Sequence, residues 1–175
     1  MTAADAEWHA WRGRGIGSSD IAGLLGLSPW SSPYSVWLEK VGGGGQRETE
    51  RMRWGRAFEN EILDEAARRL GVVIAARQVA ATHPRYEWAR ATLDATYAEQ
   101  PGAAEAGALE AKMTGDPRWA EVPAYYWVQV QWQMEVRQLP ACWVAALHGG
   151  SRLSLWLVQR DRDAGAAMLR VAGQF

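Results

Sequence analysis

Apolar residues recur along this chain at two periods, and the change from one to the other marks out its elements. Over 49–70 they fall at helical spacing, with Ile62, Leu63, Ala66 and Leu70 on one face and Gly71 supplying the stop. Three strand-like segments follow at 72–82, 88–98 and 108–114, divided by the turn residues His83-Pro84 and Pro101-Gly102. The stretch 122–138 fits both periods, since Val128, Val130, Trp132, Met134 and Val136 alternate with other residues as in a strand. Length decides for a helix: sixteen residues lie between Pro123 and Pro140, whereas strands run to about 5 or 6, and Pro123 suits a first helical turn. Two more strands, 142–147 and 153–159, and a helix over 161–171 complete the body. The resulting order, α-β-β-β-α-β-β-α, predicts an α/β domain: one central mixed sheet with helices packed on it.

Ahead of this body the signals are shorter. Residues 8–20 are punctuated by Gly13, Gly15 and Gly17 and end in capping residues, so a short helix is expected to start near Ser18 or Ser19, before Ile21, Leu24 and Leu25. Ser32-Pro33 reads as cap and first position of a helix that runs through Trp37 to a stop at Gly42, and Gly42 to Gly45 read as a flexible link.

The 175 residues suffice for one domain, burying about 70% of the unfolded surface without a staple. No apolar run approaches the roughly 18 residues of a membrane span. The start, Thr2-Ala3-Ala4-Asp5-Ala6-Glu7-Trp8, lacks the basic and apolar regions of a secretion signal, and Cys142 is the one cysteine. A reducing, cytoplasmic location is therefore expected. Net charge is −1, so contact with nucleic acid would rest on local patches or metal ions. Of nineteen basic residues only Lys40 and Lys112 are lysine. The eleven tryptophans are read mainly as core, and those beside polar motifs as able to stack on bases.

The chemistry gathers on four positions. Glu59 shares the apolar helix face with Ile62, Leu63, Ala66 and Leu70, and a carboxylate there needs a partner; a salt bridge is the plain alternative to a site. Thr92, Asp94 and Thr96 share one strand face, and Glu110 and Lys112 share one face of the next strand. If those strands pair through the Pro101-Gly102 loop, Asp94 and Glu110 approach each other, which is unfavourable unless a cation lies between them. Carboxylate oxygens suit hard Mg²⁺ or Mn²⁺, and a nearby Lys can position the attacking water in phosphodiester cleavage. A lone Glu-x-Lys is usually a solvated strand face, but lysine is scarce here. His9, His83 and His148 have no ligand spacing with Cys142, which argues against zinc.

Six segments carry a family resemblance: Trp8-His9-Ala10-Trp11-Arg12 with Ile16-Gly17-Ser18-Ser19-Asp20, Leu24-Leu25-Gly26-Leu27-Ser28-Pro29-Trp30, Trp54-Gly55-Arg56-Ala57-Phe58-Glu59, Ala91-Thr92-Leu93-Asp94, Leu109-Glu110-Ala111-Lys112-Met113-Thr114 and Tyr126-Trp127-Val128-Gln129-Val130-Gln131. Together they resemble the lambda-exonuclease-like, YqaJ-type viral recombinase nucleases of the PD-(D/E)xK superfamily. The resemblance implies a restriction-endonuclease-like core. It makes the chain one nuclease domain over 1–175, with 1–45 an N-terminal helical DNA-end-binding region and 46–175 the catalytic core. Asp94, Glu110 and the Ala111 carbonyl match the metal ligands, Lys112 the residue that activates water, Glu59 a supporting carboxylate and Gln129 a glutamine lining the site. Arg12 and Ser19 fall where the family grips a 5′-phosphate, and Ser19 opening a helix would favour an anion there. Helix capping plus a surface Arg is the alternative. Leu93 and Ala95 depart from the proline and glycine of the family pattern, and neither supplies a ligand.

The implied activity is a Mg²⁺-dependent deoxyribonuclease, a phage-type 5′-to-3′ exonuclease acting on double-stranded DNA ends for single-strand-annealing recombination. The resemblance also implies Mg²⁺ or Mn²⁺ at two ions per site, an annealing-protein partner and a homo-oligomeric ring (a trimer); the lack of a long apolar run predicts no membrane partner. Two other readings fit the same residues: a structure- or sequence-specific endonuclease on the same core, and a non-catalytic DNA-end-binding adaptor. Among minor features, Tyr126, Gln129, Gln133 and Arg137 form a helical stripe, in which all but Gln129 are read as solvated or lining a DNA channel. Arg51, Arg53 and Arg56 form a candidate phosphate patch or an exposed helical surface. Trp30, Tyr34 and Trp37 are read as a hydrophobic staple between helices, with stacking on a strand end as the alternative.

Overall fold

Alanine is the strongest helix former, and an alanine-rich run opens the chain as helix α1, Ala3–Gly13, which apolar periodicity did not announce. In this computed structural model, which describes residues 3–42 and 49–175, Ile16 then forms an isolated parallel bridge with Ala89. The next helix, α2, is only Ile21–Leu24 and is preceded by Asp20 rather than by either serine. Asp20 is drawn into that position because its carboxylate accepts from the Gly17 N–H at 2.8 Å. Helix α3, Pro33–Lys40, starts on a capping box between Ser32 and Ser35. Of the expected Gly42 to Gly45 link, 43–45 lie outside the described residues.

Helix α4, Glu50–Leu70, is capped by the Thr49 hydroxyl, which accepts from Met52 N–H, and is closed by Gly71 at φ 70°. Strands β1 (Val73–Thr82), β2 (Arg90–Ala98) and β3 (Gly107–Thr114) follow, then helix α5 (Ala124–Arg137), strands β4 (Ala141–His148) and β5 (Arg152–Gln159), and helix α6 (Arg162–Gln174). The sheet order is β1-β2-β3-β4-β5, antiparallel throughout except for the parallel β3–β4 pair, which α5 connects. This is the expected α/β domain with a central mixed sheet flanked by helices.

The two faces hold separate cores. On one, Ile62, Leu63 and Ala66 of α4 pack with Ala95, Tyr97, Leu109 and Ala145. On the other, Val130, Trp132 and Met134 of α5 pack with Ala91, Leu93, Ala108, Val144 and Met168. Strict alternation would put Leu93 and Ala95 in one core, yet they belong to different ones, so the pattern breaks at Asp94. Pairing between β2 and β3 ends at the same point: Ala95↔Leu109, Thr96↔Ala108 and Tyr97↔Gly107 are its pairs.

Candidate active site

Where β2 and β3 part, side chains replace the backbone ladder. The Ala111 N–H donates to Asp94 Oδ2 at 2.9 Å, linking the strands just beyond their last pair. Glu110 on β3 is 1% exposed and accepts from three donors. Lys112 Nζ and Gln129 Nε2 reach its Oε1, the glutamine at 2.5 Å, and Gln133 Nε2 reaches Oε2 at 2.8 Å. The Lys112 ammonium also lies 4.7 Å from the centroid of the Tyr126 ring, a cation–π contact that fixes its other side. Asp94, Glu110 and Lys112 therefore come together as their spacing predicts, with Gln129 beside them.

Two carboxylates sharing so little solvent carry an electrostatic cost. Burial pushes the Asp94 carboxyl well above its ordinary range and nearby Glu110 pushes it further, with Lys112 and the Ala111 N–H only partly opposing them. Burial would lower the Lys112 ammonium, but Glu110 and Asp94 outweigh it and raise its pKa. Glu59, half-buried on α4, is raised by burial and by Glu110, against a hydrogen bond from Gln78. Glu59 lines the same cleft as Asp94, Glu110 and Lys112. That cleft, of about 940 Å³, is also lined by Gln129, Tyr126, Arg12 and Ser19.

Residues 7–140 match the YqaJ-like viral recombinase domain. The chain belongs to the YqaJ-like viral recombinase family. YqaJ of Bacillus subtilis strain 168, an uncharacterized protein, is 28% identical over 161 residues, covering 90% of this chain and 50% of that protein. The chain thus spans about half the length of this curated relative. An alkaline exonuclease from Laribacter hongkongensis has the same fold at TM-score 0.75 and 16% identity, over 97% of this chain and 89% of that one. A phage-related exonuclease from Haemophilus somnus 129PT matches at TM-score 0.68 and 10% identity, over 95% and 93% of the two chains.

In this YqaJ-like domain the N-terminal pair differs from expectation in one respect. Arg12 does meet Ser19, donating to its Oγ at 2.9 Å. Ser19 does not open a helix, because Asp20 precedes α2, and a four-residue helix offers no dipole of consequence. The guanidinium is also paired, with Glu39 at 2.8 Å and Asp20 at 3.3 Å, while Lys40 pairs with Asp20 at 2.6 Å. Two cations and two carboxylates balance at this wall of the cleft.

Three minor expectations are corrected. Gln133 is neither solvated nor lining a channel but buried against Glu110, whereas Arg137 is exposed as expected and pairs with Glu105 at 2.8 Å. Trp30, Tyr34 and Trp37 are not a buried staple. Trp30 is 58% exposed, resting edge-on against Tyr125, and Tyr34 stacks on Trp37 along one helix. The arginine group splits: Arg51 and Arg56 line the cleft, whereas Arg53 pairs with Glu50 and lies over Trp54. Gln78, which donates to Glu59, carried no signal in the sequence. It sits in β1 between Arg77 and Val79, which pair with Ala95 and Leu93, and has φ 49°, a left-handed backbone uncommon outside glycine.

No group of three or more His, Cys, Asp or Glu side chains among the described residues is arranged as a metal cage. A hard divalent cation nonetheless fits the donor chemistry. Asp94 and Glu110 offer only oxygen, and the Ala111 carbonyl would add another of the same kind. Asp94 is held toward its neutral form first by burial and then by the charge of Glu110, which Lys112, paired with Glu110, offsets only in part.

Proposed function

We propose that this chain is a divalent-metal-dependent deoxyribonuclease, a phage-type exonuclease that resects duplex DNA ends 5′ to 3′ for single-strand-annealing recombination. The observation that carries the reading is the meeting of Asp94, Glu110 and Lys112 in one cleft where β2 and β3 part. Asp94, Glu110 and the Ala111 carbonyl would hold Mg²⁺ or Mn²⁺, two ions at full occupancy. The chemistry such an ion supplies when bound is positive charge for the phosphoryl oxygens and a more acidic water.

The remaining work falls to the chain. Lys112, pinned between Glu110 and the Tyr126 ring, orients the attacking water along the cleft. Glu59 stands at the cleft wall with an enhanced proton affinity, suited to accept a proton from that water. Gln129 holds Glu110 Oε1 in place. Arg12 and Ser19 provide a grip for a terminal 5′-phosphate, for which Arg12 exchanges its Glu39 contact for phosphate oxygens. In this arrangement residues 1–45 form the end-binding region and 46–175 the catalytic core.

Family membership supports the further proposals of an annealing-protein partner, a trimeric ring of subunits and action in a bacterial or phage-infected cytoplasm. No helix among the described residues is long and apolar enough to cross a membrane. The test is digestion of end-labelled linear duplex and of closed circular plasmid with Mg²⁺. Loss of label from linear DNA with the circle intact is the expected result. Cutting of the circle would make the chain an endonuclease, and intact DNA of both forms would make it a binding module.

A further inference from the structure

We propose that Gln133 is a positioning residue that sets the separation and tilt of the carboxylates of Asp94 and Glu110, a role that rests on the metal-dependent reading above. Gln133 lies on α5 and is 1% exposed. Its Nε2 donates twice, at 2.8 Å to Glu110 Oε2 on β3 and at 3.2 Å to the Thr92 carbonyl on β2. Those strands stop pairing at Ala95 and Leu109, so no ladder hydrogen bond fixes the distance between the two acids. The gap is spanned instead by the Ala111 N–H to Asp94 and by the Gln133 amide.

The orientation of that amide is forced. Both groups it meets are acceptors, and turning it over would set Oε1 against a carboxylate and a carbonyl. The consequence is a buried Oε1 without a hydrogen-bond partner. An orphaned buried acceptor opposes folding, and an apolar side chain of the same size would avoid it. What glutamine offers at 133 is the pair of donors facing the site.

Lys112 and Gln129 both reach Oε1 of Glu110, and among the described residues Gln133 is the donor on Oε2. Without it the terminal carboxylate torsion, which has broad and shallow minima, is held at one oxygen only. Small ions that demand near-octahedral geometry would feel the loss more than Ca²⁺, which accepts irregular shells.

Gln131 provides an internal control. It lies on the same helix, is equally buried at 1% exposure, and spends its amide on the Gln159 carbonyl at 2.7 Å and the Asp161 N–H at 2.8 Å, away from the acids. The experiment is calorimetric titration of Mn²⁺, and separately of Ca²⁺, into the full chain and its Gln133→Met and Gln131→Met variants, with melting of each in EDTA. Gln133→Met should bind Mn²⁺ about 10- to 100-fold more weakly, with a smaller loss for Ca²⁺, while Gln131→Met binds Mn²⁺ as the parent does. Wild-type Mn²⁺ affinity in Gln133→Met, or an equal loss in both variants, overturns the proposal. Should Gln133→Met fail to fold, Gln133→Asn, one methylene too short to reach both acceptors, must show the same loss for the proposal to stand. Absence of Mn²⁺ uptake by the parent chain would instead overturn the metal-dependent reading, and the brace with it.

Discussion

Replacing the two site carboxylates by amides, one at a time, should move the metal-free protein in opposite directions. Glu110 is 1% exposed and is the ion-pair partner of Lys112, whose side chain is 15% exposed. Glu110→Gln keeps the shape but strands that ammonium, and breaking a buried pair from one side costs about 3–5 kcal/mol. For a chain of 175 residues, with about 2–4 °C of melting temperature per kcal/mol, the drop should be roughly 6 to 20 °C. Asp94→Asn removes a charge that burial and Glu110 both oppose, and its amide oxygen can still accept from the Ala111 N–H. Because the native pKa of Asp94 lies above the unfolded one, its contribution favours the fold in acid and is lost as pH rises through the native value. In EDTA at about pH 8, Asp94→Asn should therefore melt above the parent chain, and the two should converge on acidification. Mg²⁺ at 100 times its dissociation constant should then stabilise the parent by about 2.7 kcal/mol, or roughly 5 to 11 °C, and either amide variant far less. The assay is a set of thermal melts across pH, with and without Mg²⁺. Equal falls for both amides in EDTA would refute the charge argument.

Lys112→Ala should lower the cleavage rate at least 100-fold, within the range of about 10²–10⁴ for a positioned proton-transfer or water-orienting group, while duplex binding in Ca²⁺ persists; near-parental turnover would remove Lys112 from the reaction. Arg12→Ala should narrow the preference for 5′-phosphorylated over 5′-hydroxyl ends in parallel digestions. Glu39→Gln, by freeing the guanidinium from its carboxylate partner, should widen it. Movement of both in one direction would contradict the phosphate grip. Glu59→Gln should slow cleavage with little change in Mn²⁺ affinity by calorimetry, and a Mn²⁺ loss as large as that of Glu110→Gln would make Glu59 a ligand instead.

The sequence made legible whatever depends on local pattern. Thr49 and Gly71 bound α4, Ser32-Pro33 opens α3, and the distance between two prolines identifies α5 as helix although its residues alternate. The approach of Asp94 to Glu110 was legible from the pairing of their two strands through one turn, although alternation breaks at Asp94, and a scarce lysine drew attention to 112. Features that depend on chains meeting in space stayed hidden. Gln133 looked like one polar member of a helical stripe until β2 and β3 were seen to part beneath it. Gln78 reaches Glu59 only because its backbone takes a left-handed turn inside an edge strand. Asp20 displaced the serines as helix start because Gly17, Arg12 and Lys40 converge on its carboxylate, and α1 formed on alanine content over a stretch where no apolar period stood out.

The central claim is that Asp94 and Glu110 together bind a divalent ion beside Lys112. Anomalous diffraction from crystals grown with Mn²⁺ measures this directly. The account requires a manganese peak bridging the two carboxylates in the cleft that Lys112 and Gln129 line. A peak held by other residues, or none at saturating Mn²⁺ with both carboxylates in place, would contradict it.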